Sequence, residues 1–164
     1  MSETIPVRIV YEAADLLIGS WHNVCLGVWK LKPTVESTGA MKEQYVALAR
    51  RRPAGIVLCG VIAAGVPIPD EAARSGLTAA MAAVDDKILA AAVTIEGEGF
   101  MAAAARAASA SMSVLTRSRY PRKFFSTVEV GAAWVAPHAS DAAGRSVPAG
   151  DVVAAASGFR ARAR

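Results

Sequence analysis

The sequence predicts an α/β fold with a mixed, mostly parallel sheet, an N-terminal β-meander and about four helices. Apolar residues alternate near the start of the chain, which is typical of antiparallel strands. Two apolar runs, "AGIVLCGVIAAG" at 54–65 and "KILAAAVTIEG" at 87–97, are typical of strands covered on both faces. Helical periodicity separates these runs, and strands that alternate with helices predict parallel pairing.

The first three predicted strands form the meander. Turn candidates at 12–15 and 22–23 separate three short runs of alternating apolar residues. The alternating positions are Val7, Ile9 and Tyr11, then Leu17, Gly19 and Trp21, then Val24, Leu26 and Val28. Because strands joined by short turns pair antiparallel, we expect this part of the sheet to be antiparallel.

A helix is predicted between the meander and the run at 54–65. Thr34 is placed to cap it, and Glu36 lies in its first turn. An apolar stripe and a basic last turn before a proline complete the pattern: Met41, Tyr45 and Leu48, then Arg50, Arg51, Arg52 and Pro53.

The second half of the chain continues this alternation. Helices are predicted at about 69–84 and about 100–118, on either side of the strand at 87–97 and the loop "EGEG" at 96–99. "RKFFS" predicts a short strand, and Ser126 with Glu129 matches a capping box for a last helix over about 127–136. Residues 140–164 show little periodicity, so a mostly disordered, Pro/Ala/Gly/Arg-rich tail is predicted from 137 onward.

Composition favours a soluble cytoplasmic protein that binds no specific nucleic acid. The net charge is +4, but acidic and basic residues are nearly balanced over the predicted domain. Neither a secretory leader nor a stretch long enough to span a membrane is recognised. Cys25 and Cys59 lie in apolar strand-like runs, so two free buried thiols are favoured over a disulfide.

The order of elements and the ending "RKFFSTVEVGAAWV" resemble the STAS domains of anti-sigma factor antagonists and the related SpoIIAA-like proteins. The resemblance covers about residues 7–136 and rests most on that ending. It implies one STAS-like domain at 1–136, followed by the tail at 137–164. It also implies a non-enzymatic binding module of bacterial signalling, whose partner is a kinase-like anti-sigma factor released by serine phosphorylation.

The family's phosphoacceptor stands at the start of the helix after a central strand, which corresponds to 63–72 here. That stretch, "AAGVPIPDEA", has no Ser or Thr, and Pro67, Pro69 and Asp70 stand there instead. The nearby Ser75 falls opposite the apolar face of the predicted helix, at about 100° per residue. We therefore expect Ser75 to be a solvated helix residue rather than a phosphorylation switch.

No catalytic set, metal site or cofactor is predicted, because His22, His138 and the cysteines are isolated in the sequence. A ligand or partner surface is expected where loops follow the buried strands, since open α/β sheets bind ligands there. It comprises Gly65, Pro67, Pro69, Asp70, Glu96, Glu98 and Phe100. The expected occupant is a protein partner or a second copy of the chain. A lipid or nucleotide is the alternative, and a plain loop also explains the two glutamates.

Overall fold

The structure, a computed structural model, describes residues 5–99, 102–103, 105–107 and 118–164. Its strands are β1 (Arg8–Glu12), β2 (Leu16–Trp21), β3 (Val24–Trp29), β4 (Ile56–Ile62), β5 (Ile88–Ile95) and β6 (Arg122–Phe125). Its helices are α1 (Val35–Arg51), α2 (Glu71–Ala82), α3 (Val128–Val135) and α4 (Ala149–Arg162), with a 3-10 turn at Ala136–His138. Residues 102–103 and 105–107 are also helical. Of the rest of the helix predicted at 100–118, only Ser118 is described, and it is not helical.

The predicted α/β class, with a mixed and mostly parallel sheet behind a meander, is confirmed. The strands lie in chain order; β1 to β3 pair antiparallel and β3 to β6 pair parallel. The turn at 22–23 places Trp21 opposite Val24, which in turn pairs with Val57 of β4. Each parallel step needs a connection that returns along the sheet, and α1 and α2 supply it for β4 and β5.

The sheet is covered on both faces, as the apolar runs of β4 and β5 predict. On one face, Met41 and Tyr45 of α1 pack with Ile56 of β4. On the other face, Val135 of α3 and Phe159 of α4 share a second core with the strands. Because successive strand residues point to opposite faces, the central strands contribute to both cores. The crossover helices α1 and α2 cover only one of these faces.

The segment 137–164 differs from the predicted disordered tail. α4 packs on the face opposite α1 and α2, and its residues Val152, Ala156 and Phe159 are buried. An isolated antiparallel bridge between Ser140 and Ser146 orders the chain that leads to α4. The expectation is wrong because an alanine-rich helix with a weak apolar stripe becomes stable once a bare sheet face is there to bury it.

Capping signals are confirmed at one helix and shifted by one residue at another. Thr34 caps α1 in a reciprocal box with Ser37, whose N–H donates to the Thr34 hydroxyl at 3.1 Å. The N-cap of α3 is Thr127, which accepts from the Val130 N–H at 3.4 Å. The predicted cap at Ser126 is therefore wrong. Both hydroxyl residues suit an N-cap, and the end of β6 decides which one takes the position.

Both cysteines are free and buried, as predicted. Cys25 belongs to the core beneath α1 and α2, and Cys59 to the core beneath α3 and α4. Their side chains point to opposite faces of adjacent strands, so a disulfide between them would require the sheet to be rebuilt. Burial raises the pKa of each thiol to about 12.

One buried polar side chain ties three segments together. Asn23, which is 1% exposed, lies in the turn before β3. Its amide nitrogen donates to the carbonyl oxygens of Gly55, at 3.3 Å, and His138, at 3.1 Å. Its Oδ1 accepts from the Ser140 N–H at 2.8 Å. The side chain therefore links the meander, the loop before β4 and the segment that leads to α4.

Replacing Asn23 with Ala should lower the free energy of unfolding by about 2–3 kcal/mol, because three backbone groups lose a buried partner. Urea denaturation followed by circular dichroism measures this change. Ser75→Ala is the control: Ser75 is exposed on α2, and its replacement should alter stability by less than about 0.5 kcal/mol. Equal stability of the two variants would contradict the linking role of Asn23.

Candidate functional site

The carboxyl ends of β3, β4 and β5 lie side by side because these strands run parallel. The residue that follows β4 is hydrogen-bonded to the end of β3, and the residue that follows β5 is hydrogen-bonded to the end of β4. The Ala63 N–H donates to the Trp29 carbonyl oxygen, and the Glu96 N–H donates to the Ile62 carbonyl oxygen, both at 3.0 Å. This edge of the sheet therefore brings the two predicted stretches, 65–70 and 96–98, together.

Three large apolar side chains lie exposed along this edge. Ile68 is 81% exposed, Val35 61% and Leu31 55%; they are three of the five large apolar side chains exposed in the described part of the chain. Leu31 and Val35 lie where β3 leads into α1, and Ile68 precedes α2. Lys32 Nζ lies 3.7 Å from Asp70 Oδ2, which joins the two loops. We call Leu31, Val35 and Ile68 the carboxyl-edge patch.

The loop that carries Ile68 is constrained on both sides. The rings of Pro67 and Pro69 hold φ at about −65°, and Gly65 adopts a φ of 81°, in the left-handed region that favours glycine. A constrained loop loses little conformational entropy when it binds a partner. Ile68 is therefore presented to solvent in a form that is already ordered.

Asp70 ends this loop and begins α2. Its Oδ1 accepts from the Ala73 N–H at 2.9 Å, which makes Asp70 the N-cap of the helix. That hydrogen bond, together with the charge of Lys32, lowers the pKa of the Asp70 carboxyl. The side chain remains 59% exposed, so Asp70 caps the helix and also presents a negative charge beside the patch.

Glu96 forms an ion pair with Arg160 of α4. Arg160 Nε and Nη2 lie 2.8 and 2.7 Å from the two carboxylate oxygens, and the two side chains are only 22% and 23% exposed. Glu98 is exposed on the same loop, and Phe100 lies outside the described residues. The loop predicted to hold a ligand is thus fastened to α4 through Glu96.

Sequence reasoning missed Arg160 because the segment that contains it was expected to be disordered. A signal was present: Val152, Ala156, Phe159 and Ala163 follow one another at spacings of four, three and four, which is a helical apolar stripe. Arg160 directly follows a member of that stripe.

A hollow of about 320 Å³ lies beside the Glu96–Arg160 pair. Ser157 Oγ donates to Glu129 Oε1 at 3.2 Å across part of its wall. Its other polar walls are formed by Ser126, Thr127 and Arg164. Because hydroxyl groups and charges of both signs line it, the hollow suits a small polar molecule better than an apolar chain.

The two histidines lie elsewhere. His22 occupies the β2–β3 turn with a φ of 54°, and its carbonyl oxygen accepts from Arg52 Nε at 3.1 Å. Burial lowers the pKa of its imidazole. His138 lies in the 3-10 turn. Within the described ranges, no group of three or more His, Cys, Asp or Glu side chains is placed to hold a metal ion.

Ser75 is exposed on α2, whereas the next residue is tightly enclosed. A Cβ at Gly76 would lie 2.8 Å from Thr38 Cβ on α1 and closer still to the Thr38 hydroxyl. Thr38 is fully buried and its hydroxyl donates to the Val35 carbonyl oxygen at 3.0 Å, so it has little room to move. Gly76 therefore permits the close approach of α1 and α2 beneath the patch.

Gly76→Ala should lower the free energy of unfolding by about 1–3 kcal/mol, because the added methyl group overpacks this contact. Gly39→Ala is the matched control, since Gly39 also lies in a helix and no atom lies within 4 Å of an added Cβ. It should raise stability by about 0.5–1 kcal/mol. Urea denaturation of both variants measures whether the two changes in the free energy of unfolding have opposite signs. A Gly76→Ala protein that is more stable than the parent would contradict the close contact between Gly76 and Thr38.

Comparison of the chain with protein-family models, with curated proteins and with solved structures finds no match. Among the described residues, no helix combines the length and the apolar character needed to cross a membrane.

Proposed function

We propose that this chain is a non-enzymatic, STAS-like interaction domain of bacterial cytoplasmic signalling, and that it contacts its partner through the carboxyl-edge patch. The observation that carries the proposal is the exposure of Leu31, Val35 and Ile68 on two adjoining segments, the connection into the start of α1 and the loop before α2. Single exposed apolar residues are common on protein surfaces, whereas a cluster of them is typical of an interaction site.

The proposed contact does not depend on phosphorylation of the loop at 63–72, since no hydroxyl side chain occurs there. The STAS resemblance suggests a kinase-like anti-sigma factor as the partner class. Such a partner would bind Ile68 at any time, because the exposure of Ile68 does not depend on a phosphorylation event. In this respect the proposed domain differs from family members that release their partner when a serine at this place is modified.

A photo-crosslinking amino acid at position 68, introduced in the source cells, tests the proposal. We expect light-dependent protein adducts at position 68 and none at position 50. Arg50 is a suitable control because it is exposed at the other end of α1, away from the patch. With the crosslinked partner purified, Ile68→Asp should weaken binding by about tenfold or more. Equal crosslinking at both positions, or unchanged affinity, would count against the proposed surface.

Small-ligand binding is a second candidate function, favoured by the hollow beside Glu96 and Arg160. Its polar walls favour a nucleotide over a lipid. A saturable thermal shift with ATP or GTP, absent with lysophospholipid and abolished by Ser157→Trp, would support this candidate. A melting temperature that none of these probes changes at millimolar concentration would remove it.

A further inference from the structure

We propose that the edge of the sheet opposite the carboxyl-edge patch binds single-stranded nucleic acid without sequence preference, through the sugar–phosphate backbone. The inference goes beyond the proposed function, because it concerns a different surface and a different class of partner. It agrees with the prediction that the chain binds no specific nucleic acid, since contacts to phosphate groups carry no direct sequence information.

Basic side chains from three separate segments meet at this edge, where the parallel strands begin. Val24, Val57 and Ala90 lie side by side near the starts of β3, β4 and β5. The chain enters β4 from the end of α1, β5 from residues 83–87 and β6 from residues 118–121. These entering segments carry the residues that we call the basic amino edge: Arg50, Arg51, Arg52, Lys87 and Arg119.

Observed contacts join the three segments into one surface. Arg50 and Lys87 line the same hollow, of about 360 Å³, between the ends of α1 and α2. Arg119 Nε lies 3.4 Å from Asp85 Oδ2, which joins the segment before β6 to the segment before β5. The basic residues are therefore neighbours in space although they are far apart in the chain.

The basic amino edge carries an excess of positive charge that the overall composition conceals. Asp85 and Asp86 are the acidic residues of the same segments, so five basic residues against two acidic ones leave three positive charges in excess. In the described part of the chain, Arg50, Arg51 and Lys87 belong to no ion pair. A concentration of one sign of charge on one surface favours a polyanion as its partner.

Arg52 marks the limit of this surface. Its Nε donates to the His22 carbonyl oxygen at 3.1 Å, in the β2–β3 turn. Beyond the turn, Asp141 and Asp151 both act on the His22 imidazole, and Asp141 is paired with Arg145 at 2.8 Å. Because acidic groups lie on that side, the nucleic acid is expected to follow the ends of α1 and α2 instead.

The residues between the charges favour a nucleic acid over an anionic membrane. Four of the five basic residues are Arg, whose planar guanidinium matches phosphate oxygens with two hydrogen bonds. The hollow has apolar walls that include Val46, Ala49, Pro53 and Val84, against which the unstacked base of a single strand can pack. Membrane surfaces are bound through protruding apolar side chains beside the basic ones. None of the exposed large apolar residues in the described part of the chain lies in these segments.

Fluorescence anisotropy of a labelled poly(U) strand of about 20 nucleotides, titrated with the full chain, tests the proposal. We expect a dissociation constant of about 10–100 µM at about 50 mM salt, in the range of non-specific binding, and a value within about threefold for poly(C). Between about 50 and 200 mM salt the affinity should fall by about 20- to 50-fold, as three or four phosphate contacts to a single strand require.

Charge reversal locates the surface. Arg50→Glu/Arg51→Glu should raise the dissociation constant by about tenfold or more, and Lys87→Glu, on a different segment, by about threefold or more. Lys42→Glu/Arg74→Glu is the matched control for the double variant, because it changes the net charge equally at exposed positions in the first halves of α1 and α2. It should change the dissociation constant by less than about threefold, since salt screens distant charges. Circular dichroism of each variant confirms folding.

Three results would overturn the inference. The first is no rise in anisotropy up to about 1 mM protein at low salt. The second is an equal loss of affinity in the two double variants, which would assign the attraction to net charge rather than to this edge. The third is flotation with phosphatidylglycerol vesicles in the absence of binding to poly(U), which would assign the edge to a membrane. None of these results bears on a protein crosslinked at position 68, so the proposed function stands or fails separately.

Discussion

Replacing Phe159 with Ala should lower the free energy of unfolding by about 3–5 kcal/mol. Phe159 is 4% exposed and joins α4 to the core on the second face of the sheet. Removal of its ring leaves a cavity that the surrounding small residues cannot fill. Val130→Ala is the control, because Val130 lies on α3 but is 56% exposed, and it should change stability by less than about 0.5 kcal/mol in urea denaturation.

Gly19 explains why the Phe159 ring lies so close to the sheet, and it provides a second measurement. A Cβ at Gly19 of β2 would lie 2.5 Å from Phe159 Cε2 and 2.7 Å from Val7 Cγ1. Gly19→Ala should therefore destabilise the parent, and destabilise the Phe159→Ala protein by less, because the ring is then absent. Strictly additive effects of the two substitutions would mean that α4 does not pack on β2 through this ring.

Raising the pH from about 8 to about 10.5 should lower the free energy of unfolding of the unsubstituted protein, the parent. The decrease should be about 4 kcal/mol larger than in the Cys25→Ala/Cys59→Ala double variant. Burial raises the pKa of both thiols from 9.0 to about 12. Above pH 9 the unfolded chain therefore loses thiol protons that the folded protein still holds. The stability linked to these thiols is complete below the unfolded pKa and is lost as the pH rises toward the folded pKa.

Urea denaturation with reductant, at several pH values between these limits, measures the difference in slope. Each single variant should remove about half of the effect. Burial also raises the pKa of Tyr45, but Tyr45 is present in parent and variant alike, so its contribution cancels. The double variant is expected to be less stable than the parent near pH 8 because it loses two buried sulfur atoms. Parallel stability curves for parent and double variant would show that the thiols titrate alike in both states.

Much of the fold could be predicted because its signals are local. The alternation in β1 to β3, the cap at Thr34 and the break at Pro53 each depend on a few neighbouring residues. The structure confirms the three strands and the cap, and α1 ends at Arg51, two residues before Pro53. The shift from Ser126 to Thr127 shows the limit of such signals. Two adjacent residues with the same capping chemistry cannot be separated without knowing where the preceding strand ends.

α4 could not be predicted in the same way, because its apolar stripe is weak. Val152, Ala156 and Phe159 cover little area in an alanine-rich segment, and such a helix is marginal by itself. The apolar runs of β4 and β5 nevertheless predict that both faces of the sheet are covered. Since α1 and α2 share one face, the cover for the other had to come from a later part of the chain.

Part of the candidate site could likewise be predicted from the sequence, and part depends on contacts between distant segments. Parallel strands place their carboxyl ends at one edge, so the meeting of 65–70 with 96–98 followed from the element order. The partner of Glu96 did not, because Arg160 is 64 residues away. Leu31 and Val35 were also not predicted as part of the surface, since their exposure depends on how α1 packs.

The sequence by itself determined the order of the six strands, the parallel centre of the sheet and the absence of a hydroxyl side chain at 63–72. These follow from periodicity, turn chemistry and residue identity, which act within short windows. Only the tertiary structure decided that the C-terminal segment is a packed helix, that Glu96 is paired and that Leu31, Val35 and Ile68 are exposed at the same edge of the sheet. Each of these depends on burial and contact between segments far apart in the chain, which no local pattern records.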